Sequence, residues 1–344
     1  MRRLLPIVQG YIMETIGTHS GTFHCDEALA CYMLRQLPRF AKSTIVRSRD
    51  QQVLSQLTIV VDVGDVYNPS TLRFDHHQKG FFETFSSNHN TKLSSAGLIY
   101  KHFGREIIQN IVPELTDTDN EIIYNKVYDA FIEGIDGIDN GVAAYKCSND
   151  NCSAGVNRCY IVDSDVSSRV GRLNPAWNEE VDDVEIDKRF VKAMELVGSE
   201  FHDRVCSYAR IWLPGRQIVE NALKNRMQYD NEGRIVVFEQ YCPWKDHLHK
   251  LEKEMILSQP ILHVIYPDQS KSWRVQAVSV QPGVFTNRLS LPSEWRGIRD
   301  AELSQISGVN NCIFVHNTGF IGGNKTKDGA LMMAKKSIQL QIMN

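Results

Sequence analysis

Four short stretches of this sequence concentrate histidine and aspartate. The first is His19-Ser-Gly-Thr-Phe-His24-Cys-Asp26-Glu. The second is Val60-Val61-Asp62-Val-Gly-Asp65, the third Phe74-Asp75-His76-His77, and the fourth Gly134-Ile-Asp136-Gly-Ile-Asp139-Asn-Gly. Apart from Cys25 they offer imidazoles and carboxylates and no thiolates. That donor set suits manganese, magnesium or iron better than a thiolate zinc site. Carboxylates shared between two such ions give the arrangement that phosphoesterases use to activate water and stabilise a leaving oxygen. Taken alone, each piece has an ordinary structural use: Asp62 as a satisfied core aspartate, Asp136 and Asp139 as caps on glycine turns. The metal reading rests on their recurrence within one half of the chain. Asp62 weighs most, because a carboxylate inside an apolar strand costs several kcal/mol unless it is paired or metal-bound.

The elements that must position these groups alternate in type. Ile12–Thr18, Ser43–Arg47, Leu57–Val63 and Leu72–His76 read as strands. The near-continuous apolar run in the third suits a buried parallel strand. Glu27–Leu37 has helical spacing and stops at Pro38, and Ser94–Gln109 opens with serines able to cap a helix. Asp119–Glu133 reads as a helix running into a glycine loop, GIDGIDNG. The alternation predicts an α/β domain with a parallel sheet, its clusters at strand ends where such domains bind ligands. The turn-rich, acidic Leu173–Asp183 places the domain boundary near residue 180. Beyond it come helical stretches at Ile186–Trp212 and Arg216–Tyr229. Strand candidates follow at Arg234–Glu239, Ile261–Tyr266, Arg274–Val280 and Cys312–His316. A glycine loop, GFIGG, then leads to a final helix from Lys327 to Ile342, which makes a smaller α/β domain.

A chain of 344 residues has room for two or three domains, and this segmentation favours two. The net charge of −3 excludes an overall basic field, so any nucleic-acid binding must be local. No apolar run approaches the roughly 18 residues of a membrane span. The eight cysteines are scattered without a CxxC pair and read as free thiols of a reducing compartment. Cys147, Cys152 and Cys159 cluster, but without the tight pairs of a structural zinc site. The N-terminal MRRLLPIVQGYIM is basic and lacks an acid before Glu14. It reads either as a disordered leader or as a short mitochondrial targeting stretch, and not as a secretory signal.

The phrase FDHH, downstream of a His…Asp segment and a strand aspartate, resembles the Asp-His-His (DHH) phosphoesterase superfamily. IGTHSGTFHCDEALAC, VVDVGDVYNP, RFDHHQKGF, GIDGIDNG, SSRVGRLNPAWNE, LPSEWRGIRD and FVHNTGFIGG occur in that order. Together they resemble one branch, the melanocyte-proliferating-gene (Myg) family, from about Thr15 to the C-terminus. The resemblance implies a leader at 1–13, a DHH-phosphoesterase-like parallel-sheet catalytic domain at 14–180, and a smaller α/β substrate-binding domain at 181–344. It implies a metal-dependent 3′–5′ exonuclease acting on single-stranded RNA or short oligonucleotides, in the mitochondrion, the nucleus or the cytoplasm and not secreted. It implies two divalent ions, Mn²⁺ or Mg²⁺. One would take His19, His24 and Asp62. The other would take Asp26, Asp62, His76 and Asp136, with Asp139 the alternative to Asp136. The superfamily usually carries an aspartate where His24 stands. Asp75 and His77 would orient ligands or contact phosphate, and with Asp62 they are the catalytic candidates.

Phosphate handling needs cations and converging backbone amides. The candidates are His316, Gly319, Gly322, Gly323 and Lys325 in the glycine-rich stretch before the last helix, by analogy with helix N-terminal anion sites. Arg47 and Arg49, Arg169 and Arg172, and Arg296 and Arg299 add guanidinium groups suited to bidentate phosphate contact. Two other functions fit the same ligands: a small-molecule phosphatase or pyrophosphatase, and a non-hydrolysing nucleotide-binding protein. No membrane partner is expected, and protein partners are not legible.

Overall fold

Apolar and β-branched residues form the centre of the N-terminal sheet. In the computed structural model, which describes residues 14–142 and 165–343, β1 (Thr15–Thr18) lies between β2 (Thr44–Arg47) and β3 (Ile59–Val61), parallel to both. β4 (Tyr67–Asn68) and β5 (Arg73–Phe74) complete the order β2-β1-β3-β5-β4, with β5 parallel to β3 and β4 antiparallel to β5. All three residues of β3 are buried, as expected of a parallel strand covered on both faces. The predicted α/β class with a parallel sheet is therefore the observed one.

Helices α1 (Cys25–Arg35), α2 (Gln51–Leu54), α3 (Ser95–Ile111) and α4 (Asp117–Val127) follow in order. A π-helical turn at Tyr128–Ile132 leads into α5 (Glu133–Asp139), and α6 (Val166–Gly171) and α7 (Asp183–Ser207) come next. The expected glycine loop GIDGIDNG is thus largely helix. Close packing around Asp136 depends on a glycine across the seam: a Cβ on Gly97 of α3 would lie 2.4 Å from the Asp136 carboxylate.

The chain divides into compact units at Ala209/Arg210, which corrects the boundary expected near 180. The reason is α7. Its Phe190, Val197 and Phe201 are buried, and it packs on α1 so closely that a Cβ on Gly198 would lie 2.1 Å from the Tyr32 ring. The acidic stretch at 173–183 is a surface turn within the first unit.

The second unit contains α8 (Leu213–Lys224), β6 (Ile235–Val237), α9 (Trp244–Glu254), β7 (His263–Pro267) and β8 (Trp273–Ala277). It continues with α10 (Asp300–Ser307), β9 (Cys312–Val315), β10 (Ile321–Asn324) and α11 (Lys327–Met343). The sheet order is β6-β7-β8-β10-β9; β6 and β7 are parallel, the remaining pairs antiparallel. Alternation divides the strand residues between two cores. Ile235, Ile265 and Val275 pack with Leu291 and Met333, while Val236 and Val264 pack with Phe238 and Leu248.

Cys25, Cys31, Cys206, Cys242 and Cys312 are free. The leader 1–13 and the Cys147, Cys152 and Cys159 cluster lie outside the described residues. Among those described, no helix is long and apolar enough to cross a membrane.

Candidate metal centre

The carboxyl ends of β1, β3 and β5 converge with the N-terminal turn of α1. His19 follows β1, Asp62 follows β3, and Asp75-His76-His77 follows β5. Asp62 takes a left-handed backbone with φ of 59°, a strained conformation for a non-glycine residue, and its N–H donates to the Phe74 carbonyl. Its carboxylate sits between two imidazoles. Oδ2 lies 3.3 Å from His19 Nε2, and Oδ1 lies 3.1 Å from His76 Nε2. His76 Nε2 is also 3.4 Å from Asp139 Oδ2 and 4.0 Å from Asp26 Oδ2.

Asp26 is buried in the first turn of α1, where the helix dipole favours an anion. Its Oδ2 accepts from the Ser95 hydroxyl at 2.8 Å, while its Oδ1 is buried without a hydrogen-bond partner. Glu27, the next residue, is buried as well. It accepts from the His24 backbone N–H in a capping box and lies 3.0 Å from His19 Nε2. Sequence reasoning missed it as a ligand candidate; a glutamate three residues after the His24 helix cap was the available signal.

Asp75 is a positioning group. Its Oδ1 accepts from the N–H groups of His76 and His77 and from His77 Nδ1, and its Oδ2 accepts from Asp65 N–H. These bonds fix the Asp-His-His turn and leave His77, which is half exposed, in the wall of the site. His24 is exposed, with its ring centroid 5.7 Å from that of His19.

Asp136 is not in the cluster, and this corrects its selection over Asp139. Its Oδ1 accepts from Ser94 N–H, Ser94 Oγ and Gly97 N–H, and its Oδ2 accepts from the Tyr128 hydroxyl. Both oxygens are engaged in clamping α5 to α3. Asp139, one helical turn onward, lines the cavity instead. The serines expected to cap α3 are diverted to these carboxylates, Ser94 to Asp136 and Ser95 to Asp26.

The electrostatics describe a crowded anionic pocket. Burial, then the Asp26 charge, pushes Asp139 up to about 9, and burial pushes Glu27 up to about 8. Asp26 is raised by burial and by Asp62. Asp62 goes the other way: burial opposes its charge, but His19 and His76 hold it well below the usual carboxylate range. Burial disfavours the His19 imidazolium, yet Asp62 and Glu27 raise it to about 10.

Three groups of donors could each hold an ion, with the ligand atoms of each within 4.8 Å of one another: His19, His24, Glu27 and Asp62; Asp62, His76 and His77; His24, Asp26 and Asp139. The residues fit divalent ions. The donors are nitrogen and oxygen, Asp62 and His24 are shared between groups, one buried Asp26 oxygen lacks a partner, and raised carboxylates call for countercharge. The site opens into a cavity of about 890 Å³.

The phosphate candidates are scattered. Arg47 is buried across the Phe190 ring, donates to the Gly21 carbonyl and pairs with Asp187. Arg169 pairs with Glu200, and Arg172 is exposed at the end of α6. Arg49, by contrast, lines the cavity, as does Lys92, which no sequence pattern singled out. In the second unit, Arg296, His316 and Gly319 meet at the β9–β10 turn, where Arg296 donates to the Leu291 carbonyl and Gly319 N–H to the His316 carbonyl. Arg299 lies over the Phe314 ring. Gly322 and Gly323 are buried in β10 and form no phosphate loop before the helix. They allow close packing: a Cβ on Gly323 would lie 2.9 Å from the Phe314 ring. Lys325 is exposed beyond the strand, and Asn324 Oδ1 accepts from Thr326 N–H at the start of α11.

Comparison with known proteins places these residues in a wider group. The MYG1 exonuclease family model, described as uncharacterised protein family UPF0160, matches residues 15–338. A MYG1 protein of Dictyostelium discoideum is 52% identical over 94% of this chain and 96% of its own. MYG1 exonucleases of Mus musculus and Homo sapiens are 47% and 46% identical over 94% of this chain, covering 84% and 85% of theirs. Among solved structures, a manganese-bound exonuclease RecJ covers 96% of this chain and 90% of its own at 10% identity and a TM-score of 0.23, a likeness too slight to support any inference.

Proposed function

The chain belongs to the MYG1 family, and from that premise we propose that it is a metal-dependent phosphodiester hydrolase, a 3′–5′ exonuclease of single-stranded RNA or short oligonucleotides. The observation that carries the reading is the chain of close approaches from His19 through Asp62 and His76 to Asp139, with Asp26 and Glu27 buried beside it. Divalent ions at such a site supply Lewis acidity toward a phosphate oxygen and bring the pKa of water toward neutrality. His19, His24, Asp26, Asp62, His76 and Asp139 would hold them, with Glu27 as an added ligand.

The chain's own residues supply position and proton transfer. Asp75 fixes the His77 ring through Nδ1, and that hydrogen bond raises its basicity. His77 Nε2 is then suited to give a proton to the departing 3′-oxygen. The exonuclease names of the mouse and human relatives support a nucleic-acid substrate. The family resemblance is what supports RNA preference and 3′–5′ polarity in this reading. The test is cleavage of 5′- and 3′-labelled single-stranded RNA and DNA with manganese. Mononucleotide release from the 3′ end of RNA supports the proposal. Release of orthophosphate from pyrophosphate, with intact oligonucleotides, contradicts it in favour of a small-molecule phosphatase.

A further inference from the structure

Two cations stand beside the carboxylate–imidazole cluster. Arg49, just beyond β2, is exposed. Its Nε donates to the Ser20 carbonyl at 3.2 Å, and its Nη2 lies 3.2 Å from His19 Nδ1. Lys92 precedes α3. Its backbone carbonyl accepts from Asn140 Nδ2 at 2.9 Å, and Asn140 is the neighbour of Asp139. Its ammonium lies 5.5 Å from the centre of the Phe81 ring. Both residues line the cavity. Neither forms an ion pair with a carboxylate among the described residues, whereas Arg47 and Arg169 are each paired.

A solvent-facing cation beside several carboxylates ordinarily pairs with one. Here the nearby carboxylates are turned inward to His19, His76 and Ser95. The cations are left for an anion entering from the cavity. Guanidinium and ammonium groups are the usual phosphate partners. A monophosphate ester seated on the cluster offers no second phosphate to these cations, while a polynucleotide does.

We propose that Arg49 and Lys92 bind backbone phosphates on the 5′ side of the scissile linkage, so that the site selects an oligonucleotide over a small phosphate ester. This rests on the nuclease reading above and names residues that set its substrate class.

The test compares wild type, Lys92→Ala, Lys92→Arg and Arg49→Gln, all manganese-loaded. The substrates are a fluorescent single-stranded oligonucleotide and bis-p-nitrophenyl phosphate, across a range of KCl. Lys92→Ala should raise the oligonucleotide KM roughly tenfold, the weight of one charged hydrogen bond, with a smaller change in kcat. The salt slope of log kcat/KM should fall by about 0.7 for each phosphate left without its cation. Hydrolysis of the small diester should fall by a much smaller factor, and Lys92→Arg should restore most of the oligonucleotide KM. Arg49→Gln should show the same pattern, with manganese affinity by calorimetry retained. An unchanged KM and salt slope, or equal losses on both substrates, overturns the proposal. Loss of manganese affinity in Arg49→Gln overturns it for Arg49, which would then act through His19. Wild-type protein that hydrolyses neither substrate overturns the nuclease reading itself, a result distinct from these.

Discussion

Asp136 and Asp139 lie three positions apart on α5, and their alanine variants should fail in opposite ways. Asp136 accepts hydrogen bonds from two backbone N–H groups and two hydroxyls in a buried seam. Asp136→Ala leaves the Ser94 and Gly97 N–H groups without acceptors, while the hydroxyls can rotate toward others. At about 1–3 kcal/mol for each stranded buried donor, the loss should be about 3–5 kcal/mol. For a unit of this size, Tm shifts roughly 2–4 °C for each kcal/mol, so the midpoint should fall by on the order of 10 °C. Asp139 is a different case: burial and the Asp26 charge push it up to about 9. Removing it relieves crowding, so metal-free Asp139→Ala should melt at or above the wild-type temperature. Its manganese affinity should fall, and with it hydrolysis by at least about 100-fold, the upper end of what loss of a ligand's supporting partner costs. Differential scanning calorimetry with and without EDTA, paired with isothermal titration of Mn²⁺, reads both effects. Full metal affinity in Asp139→Ala, together with its loss in a stably folded Asp136→Ala, would refute the assignment.

Further outcomes follow from the same geometry. Gly198→Ala in α7 should destabilise the first unit by about 1–3 kcal/mol, because the new methyl meets the base of the Tyr32 ring; an unchanged urea midpoint would show that α7 can shift freely. His263 is fully buried in β7, and burial pushes its imidazole down to about 4. The unfolded chain therefore binds a proton near pH 6.5 that the folded unit refuses, and stability present above that pH is lost as pH falls toward 4. By pH 4.5 this amounts to about 2–3 kcal/mol, and His263→Met should flatten that part of the pH dependence in denaturant titrations; an unaltered slope contradicts it. Metal uptake should release protons, since His19 at about 10 and Asp139 at about 9 hold them in the metal-free protein. Mn²⁺ affinity should rise steeply between pH 6 and 8, with a buffer-dependent calorimetric enthalpy; pH-independent binding would argue against these ligands.

The first unit was legible because parallel strands are short apolar runs, and the candidate site groups follow their carboxyl ends. His19, Asp62 and His76 could be placed at those ends from the sequence, and they meet there. The choice between Asp136 and Asp139 was not legible, since it depends on Gly97 making room for one of them and on the π-helical turn that sets the phase of α5. The domain boundary was misplaced because composition marks turns, whereas the packing of α7 on α1 joins residues far apart in sequence. The arginines were misjudged because pairing partners decide their role: Arg47 finds Asp187, 140 positions away, and Arg49 finds no carboxylate among the described residues. GFIGG looked like a phosphate loop because glycine permits close approach of any kind, here the Phe314 ring. In the second unit β10 and α9 escaped notice, the first for its glycines and the second for its high content of charged residues.

The most direct test is hydrolysis of a labelled single-stranded oligonucleotide by EDTA-stripped protein, before and after Mn²⁺ is restored, alongside Asp62→Ala. Asp62 bridges His19 and His76, so its loss should abolish metal-restored cleavage while the stripped wild type is inactive and recovers on reconstitution. Cleavage by the stripped protein, or undiminished cleavage by Asp62→Ala, would contradict the assignment of this cluster as a metal-dependent hydrolytic centre.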